Sequence, residues 1–170
     1  MMYTFMKGTM RVYLETTMFN FPFVPDKPGY TELKAQTLRV FELIKTGKFK
    51  PYTSLIALQE LHDTDVKERR ENMLRLIQEH DIAILSPDET SYRLAGLYVD
   101  EGAVPPGYPI DALHIALTAV NGLDFIVSLN FEHIARAWTI ERVSRVNRRE
   151  RIKEIDIYMP EEVLRIYENL

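Results

Sequence analysis

Short apolar runs alternate along the chain with stretches of helical periodicity. Arg11–Leu14 reads as a short buried strand, and Ile82–Leu85, Phe125–Ser128 and Ile155–Tyr158 read as further strands. After the first of them, residues 20–29 carry Pro22, Pro25 and Pro28 and read as a loop. Thr31 is placed to cap a helix with Leu33, Val40, Phe41 and Ile44 on one face, stopped by Gly47. Thr53 or Ser54 caps a helix carrying Ile56 and Glu60, and another runs from about Val66 to Glu79. Ser86-Pro-Asp-Glu89 reads as a capping box with Pro87 at the first helical position, opening a helix that ends near Gly102. The proline-rich loop 105–109 delivers Asp111 to the first turn of the next helix, which Gly122 ends. Pro160 and the two acids after it open a final amphipathic helix. Strands alternating with helices predict an α/β fold, a parallel sheet covered by helices on both faces. In such sheets sites gather at the carboxyl ends of strands, and Glu15 and Asn130 both stand just beyond one.

Length and composition narrow this picture. The 170 residues suit one domain with a real core, over residues 10–170, with residues 1–9 as an extension ahead of it. Hydrophobic content of 46% and charged content of 27% are those of a globular protein. The absence of cysteine excludes disulfides, thiolate metal sites and a cysteine nucleophile, and fits an intracellular, cytoplasmic setting. No apolar run approaches the ~18 residues of a membrane span. A nucleotide-binding glycine loop, a Gly-x-Ser-x-Gly elbow and a His-Glu-x-x-His motif are all missing, and His62, His80, His114 and His133 lack zinc-ligand spacing. The net charge is −4, yet Arg136, Arg142, Arg145, Arg148, Arg149, Arg151 and Lys153 face only Glu141 and Glu150 within one stretch. That stretch either tracks phosphates or is a solvated, salt-bridged face.

Isolated carboxylates carry the chemistry. Glu15 ends the first strand, Glu60 sits in Leu55-Ile-Ala-Leu-Gln-Glu-Leu61, and Asp111 opens Asp111-Ala-Leu-His-Ile-Ala-Leu117. A carboxylate on an apolar element costs free energy unless it is paired, hydrogen-bonded or metal-bound. Taken singly, each has a plain structural reading: a strand-end acid, a helix-edge acid paired with a base, and an acid favoured by the helix dipole. Taken together, their similar settings point to convergence around a hard cation such as Mg2+ or Mn2+. Thr16 and Thr17 offer hydroxyls to a bound water or make local turn bonds. Asn130 caps a helix starting at Phe131 or turns its amide oxygen to the site. His62 points away from Glu60, whereas His114, three residues after Asp111, is within reach of it or is a packed helix histidine.

Val12-Tyr-Leu-Glu-Thr-Thr-Met-Phe-Asn20, Thr53-Ser-Leu-Ile-Ala-Leu-Gln-Glu60, Asp111-Ala-Leu-His-Ile-Ala-Leu-Thr-Ala119 and Asp124-Phe-Ile-Val-Ser-Leu-Asn-Phe-Glu-His-Ile134, in this order, resemble the acidic motifs of the PIN-domain family, which includes the VapC-type toxin ribonucleases. The late Ile155-Asp-Ile-Tyr-Met-Pro-Glu-Glu162 is similar to that family's closing strand and helix, so the resemblance spans nearly the whole chain from residue 10. It implies a three-layer α/β/α sandwich with a central parallel sheet. It further implies a metal-dependent ribonuclease in which Glu15, Glu60 and Asp111 hold one or two Mg2+ or Mn2+ ions. Asn130 takes the fourth position, Thr16 and Asn130 orient water or substrate, and Arg142, Arg145, Arg148 and Arg149 hold the RNA backbone. A small antitoxin partner and homodimerisation are typical of the family.

One departure stands out. The family usually has Asp where this chain has Glu15. The extra methylene moves the carboxylate by about 1.5 Å, and a misplacement of about 1 Å can cost about 100-fold in rate. The rival reading is therefore a non-catalytic PIN module that binds RNA or a protein partner, with nuclease chemistry impaired at Glu15. A DNA or flap-type nuclease would share the same carboxylates.

Overall fold

The computed structural model describes residues 8–169, so most of the extension expected ahead of Met10 lies outside the described residues. The chain runs β1 (Met10–Leu14), α1 (Thr16–Asn20), a 3₁₀ turn (Phe21–Phe23), α2 (Tyr30–Lys45), β2 (Phe49–Ser54), α3 (Leu55–His62) and α4 (Lys67–Glu79). It continues through β3 (Ala83–Leu85), α5 (Glu89–Asp100), α6 (Pro109–Val120), β4 (Phe125–Val127), α7 (Ala137–Arg149), β5 (Asp156–Tyr158) and α8 (Pro160–Tyr167). The five strands form one sheet in the order β3-β2-β1-β4-β5, every pairing parallel.

Side-chain alternation along the strands divides the core between the two faces of this sheet. Val12, Leu14, Phe125 and Val127 join α1, α2, α4 and α8 on one side. Tyr13, Tyr52, Ile126 and Ile157 join α5, α6 and α7 on the other. α3, directly after β2, gives Leu61 to the first cluster and Ile56 to the edge of the second. The architecture is the expected three-layer α/β/α sandwich with a central parallel sheet. α6 is its most enclosed helix: every residue from Ala112 to Ala119 is buried, so one polar group in that stretch, His114, must be satisfied from inside the protein.

Several local expectations need correction. Phe49–Ser54 is a fifth strand beside β1, although its Lys50-Pro51 interrupts the apolar pattern. β3 pairs with β2 only from Tyr52 onward, so Pro51 lies outside that ladder and its missing N–H removes no bond to β3. Residues 20–29 are not a loop throughout, because α1 and the 3₁₀ turn reach Phe23. Tyr30, not a residue after Thr31, begins α2, with Gly29 in the left-handed region (φ 85°) at its cap. The cap of α5 is Asp88, closed reciprocally with Ser91 at 2.8 Å each way, and Pro87 precedes the helix. Of the two candidate caps before α3, Ser54 accepts from Ala57 N–H, while the Thr53 hydroxyl donates to the Leu14 carbonyl.

Candidate functional site

In the strand order β3-β2-β1-β4-β5, the chain leaves β1 toward β2 and later returns to β4 on β1's other side. The crevice at the carboxyl ends of β1 and β4 is therefore the switch point where ligands gather in open parallel sheets. Glu15 sits there. Its backbone N–H bonds the Val127 carbonyl at 3.1 Å, and it caps α1. Its side chain is almost fully buried, with Oε2 accepting from Thr17 N–H at 3.1 Å, the Thr17 hydroxyl at 2.5 Å and the Ser128 hydroxyl at 2.8 Å. Burial pushes the Glu15 carboxyl above its ordinary pKa, against His114 and these donors, which pull it down.

His114 is the centre of a buried polar chain. Its Nδ1 lies 2.6 Å from the Tyr13 hydroxyl, which lies 2.8 Å from the Ser54 hydroxyl. Its Nε2 lies 2.6 Å from Glu60 Oε1, which also accepts from the Thr16 hydroxyl at 2.7 Å. Burial alone would lower the His114 pKa. The Glu60 hydrogen bond and the charges of Glu15, Glu60 and Asp111 outweigh it and raise the value above the ordinary one. The Glu60 carboxyl, raised by its partial burial, is pulled lower overall by His114 and Thr16. The charges of all three carboxylates thus act on His114. His114 meets Glu60 and Thr16 rather than Asp111, with which the sequence also allowed a contact.

Asp111 lies in the first turn of α6, as expected, and its Oδ2 pairs with His133 Nδ1 at 2.9 Å. The His133 ring lies against Tyr108, with centroids 3.8 Å apart. Asn130 caps no helix, since residues 131–134 form turns and α7 begins only at Ala137. Its Oδ1 instead accepts from His133 N–H at 3.1 Å, which fixes the turn that presents His133 to Asp111. Sequence reasoning missed His133, Tyr13 and Ser128 as members of this group. The available signal was that all three fall inside the quoted motifs, Tyr13 in the first and Ser128 and His133 in the fourth.

Each acid commits one oxygen to the protein: Oε2 of Glu15, Oε1 of Glu60 and Oδ2 of Asp111. Among the described residues, no hydrogen bond falls on the other oxygen of any of them. That donor chemistry suits a hard dication. The spacing does not close around one: among the described residues, no three His, Asp or Glu side chains are grouped so as to hold a metal ion. Glu60 is drawn to His114 and Asp111 to His133, so a cation would compete with both histidines.

Of the basic stretch, Arg142, Arg145, Arg148 and Arg149 lie on α7, Arg136 caps it, Arg151 and Lys153 follow it, and most of these bases are internally paired. Arg145 bonds Glu141 at 2.8 Å, Arg148 bonds Glu154 at 3.0 Å, and Arg149 bonds Glu101. Arg142 donates to the Glu101 carbonyl and lies 3.6 Å over the Trp138 ring. The salt-bridged reading of this face therefore holds for Arg145, Arg148 and Arg149. Among the described residues, no helix is long and apolar enough to cross a membrane.

No protein-family model matches the chain, and neither does any curated protein.

Proposed function

We propose that the chain is a PIN-type, Mg2+- or Mn2+-dependent endoribonuclease, acting as the toxin of a toxin–antitoxin module in the cytoplasm. The observation that carries this reading is that Glu60 meets both Thr16, the residue after Glu15, and His114, three residues after Asp111 on α6, so that three separate elements are tied together at this end of the sheet. Among the described residues, no hydrogen bond falls on the second oxygen of any of the three acids. Glu15, Glu60 and Asp111 would hold the ion. When bound, it would supply an activated water and charge stabilisation at the attacked phosphate. Ser128 and Thr17 hold Glu15 in place, His114 and Thr16 orient Glu60, and His133 orients Asp111. Thr16, bonded to Glu60, and Asn130, whose Oδ1 holds the His133 turn, would position water or substrate beside the acids.

Incubation of the purified chain with RNA and Mn2+ tests this. Cleavage is expected, and intact RNA at high protein concentration would overturn the reading. Cleavage that survives in Asp111→Asn would show that the site is elsewhere. A short, partly disordered antitoxin encoded beside this gene, and a homodimer in solution, are the expected partners.

A second reading has its own support. With its acids bonded to hydroxyls and histidines and, among the described residues, no group placed to close on a metal, the chain would instead be a non-catalytic module binding RNA or a protein. Glu15→Asp separates the two: a large gain in cleavage would mean that the native site is impaired.

A further inference from the structure

A cleft between the last turns of α2 and α4 collects charged groups that the fold does not pair. Lys45 ends α2 shortly before β2, and His80 caps α4 shortly before β3. The cleft therefore lies toward the amino ends of the strands, opposite the end that carries Glu15. Its volume is about 220 Å3, and Phe41 and Leu76 line it with apolar surface. Glu42, Lys45, Glu79 and His80 line it with polar groups.

His80 is the buried member, only 8% exposed, with its ring packed on Phe41 at 4.9 Å between centroids. Its Nδ1 lies 2.7 Å from the Leu76 carbonyl, which can only accept, so Nδ1 carries a proton. In the neutral ring Nε2 is then an acceptor. Among the described residues, Nε2 has no hydrogen-bond partner. An acceptor on so buried a ring is satisfied by what enters the cleft. The carboxylates of Glu42 and Glu79 likewise have no hydrogen bond or ion pair among the described residues, and Lys45 pairs with neither. With His80 neutral, these groups leave the cleft one net negative charge. Acceptors with a net negative charge select a cation that donates hydrogen bonds. Among the described residues, no three His, Asp or Glu side chains are grouped to hold a metal ion, which favours an organic cation. The volume falls below the roughly 300–1,000 Å3 of sites for drug-sized molecules, so that cation is small.

We propose that this cleft binds a small organic ammonium. Its apolar body lies against Phe41 and Leu76, and its N–H groups donate to His80 Nε2 and to the carboxylates of Glu42 and Glu79. The site stands apart from the acids at the other end of the sheet and does not depend on the nuclease reading.

The test is an NMR titration of the full chain with benzylamine, benzyl alcohol and benzoate, following the His80 ring protons and the Leu76 methyl groups. Benzylamine is expected to move these signals saturably, with a Kd of about 1–10 mM. Benzyl alcohol and benzoate should bind about 10-fold more weakly, because neither brings a charged donor. Glu42→Gln and Glu79→Gln should each weaken benzylamine about threefold, the scale of an exposed ion pair. His80→Phe keeps a ring beside Phe41 but removes the acceptor, and should weaken it about fivefold. Lys45→Gln removes the cleft's own cation and should tighten benzylamine about threefold, an effect that damage to the fold would not produce. No saturable shift with benzylamine would overturn the proposal. So would equal affinity for benzyl alcohol, tighter binding of benzoate, or Glu42→Gln and Glu79→Gln chains that bind benzylamine like the unchanged protein.

Discussion

The two halves of the candidate site are built on opposite plans. Around His114, the groups from Tyr13 and Ser54 to Glu60 and Thr16 form a continuous hydrogen-bonded chain, with His114 fully buried inside α6. Around Asp111, the partners are a surface turn, a histidine stacked on an exposed tyrosine, and an amide that holds the turn. Tyr13, Ser54 and His114 are fully buried, so these polar groups are costly to orphan and their geometry is tied to the fold, while the chain reaches the surface at Glu60. The second half is mostly covered at Asp111 and His133, each 16% exposed, and opens at Tyr108.

Breaking the buried half should have the largest effect on stability. His114→Ala removes a buried ring and leaves the Tyr13 hydroxyl with one partner fewer. A loss of about 3 kcal/mol is expected from the cavity and the orphaned groups together, read as a lower urea midpoint with unchanged slope. A midpoint shift no larger than that of a surface variant would sink the contrast.

Ser128→Ala comes next. It deletes one donor to Glu15 and the acceptor for Asn130 N–H, and should cost about 1–2 kcal/mol. Cleavage should fall with it, because the same hydroxyl aims the Glu15 carboxylate.

The Asp111 half should show the reverse split. His133→Ala is expected to cost under about 1 kcal/mol by thermal unfolding, yet to lower cleavage by about 10- to 100-fold, as loss of a group that orients a ligand carboxylate does. If stability and activity fall together, the Asp111 half is as structural as the buried one.

The smallest effect belongs to α7. Arg148 and its partner Glu154 are both exposed, so Arg148→Ala should change stability by less than about 0.5 kcal/mol. It should change RNA affinity by less than about threefold at physiological salt, because internal pairing competes with phosphate. A steep loss of binding would mean that this face tracks the backbone after all.

Much of the frame was legible in the sequence. The apolar runs at Arg11–Leu14 and Phe125–Ser128 fall within a residue of β1 and β4, and Ser54 and Gly122 punctuate the chain as their side chains predict. The failures have physical causes. β2 was hidden by Pro51, which a central strand tolerates only because its neighbour β3 is too short to reach it. The cap of α5 was misplaced because Ser86 and Asp88 are both good cap residues, and only the closed Asp88–Ser91 pair decides between them. At the site, the acids stood out locally because each interrupts or ends an apolar pattern. Their partners did not, because a histidine in a helix or turn carries no local sign of what it faces.

By itself, the sequence determined the period and punctuation of the elements, hence an alternating α/β chain with Glu15 and Asn130 at strand ends and Asp111 at a helix start. Those are short-range properties, set by side-chain spacing of two or about four residues and by capping. Only the tertiary structure decided that His114 would meet Glu60 across 54 residues, that His133 would meet Asp111 across 22, and that Ser128 would meet Glu15 across 113. Strand order in a parallel sheet is fixed by how crossovers pack on the two faces, a global balance of burial that no local pattern records.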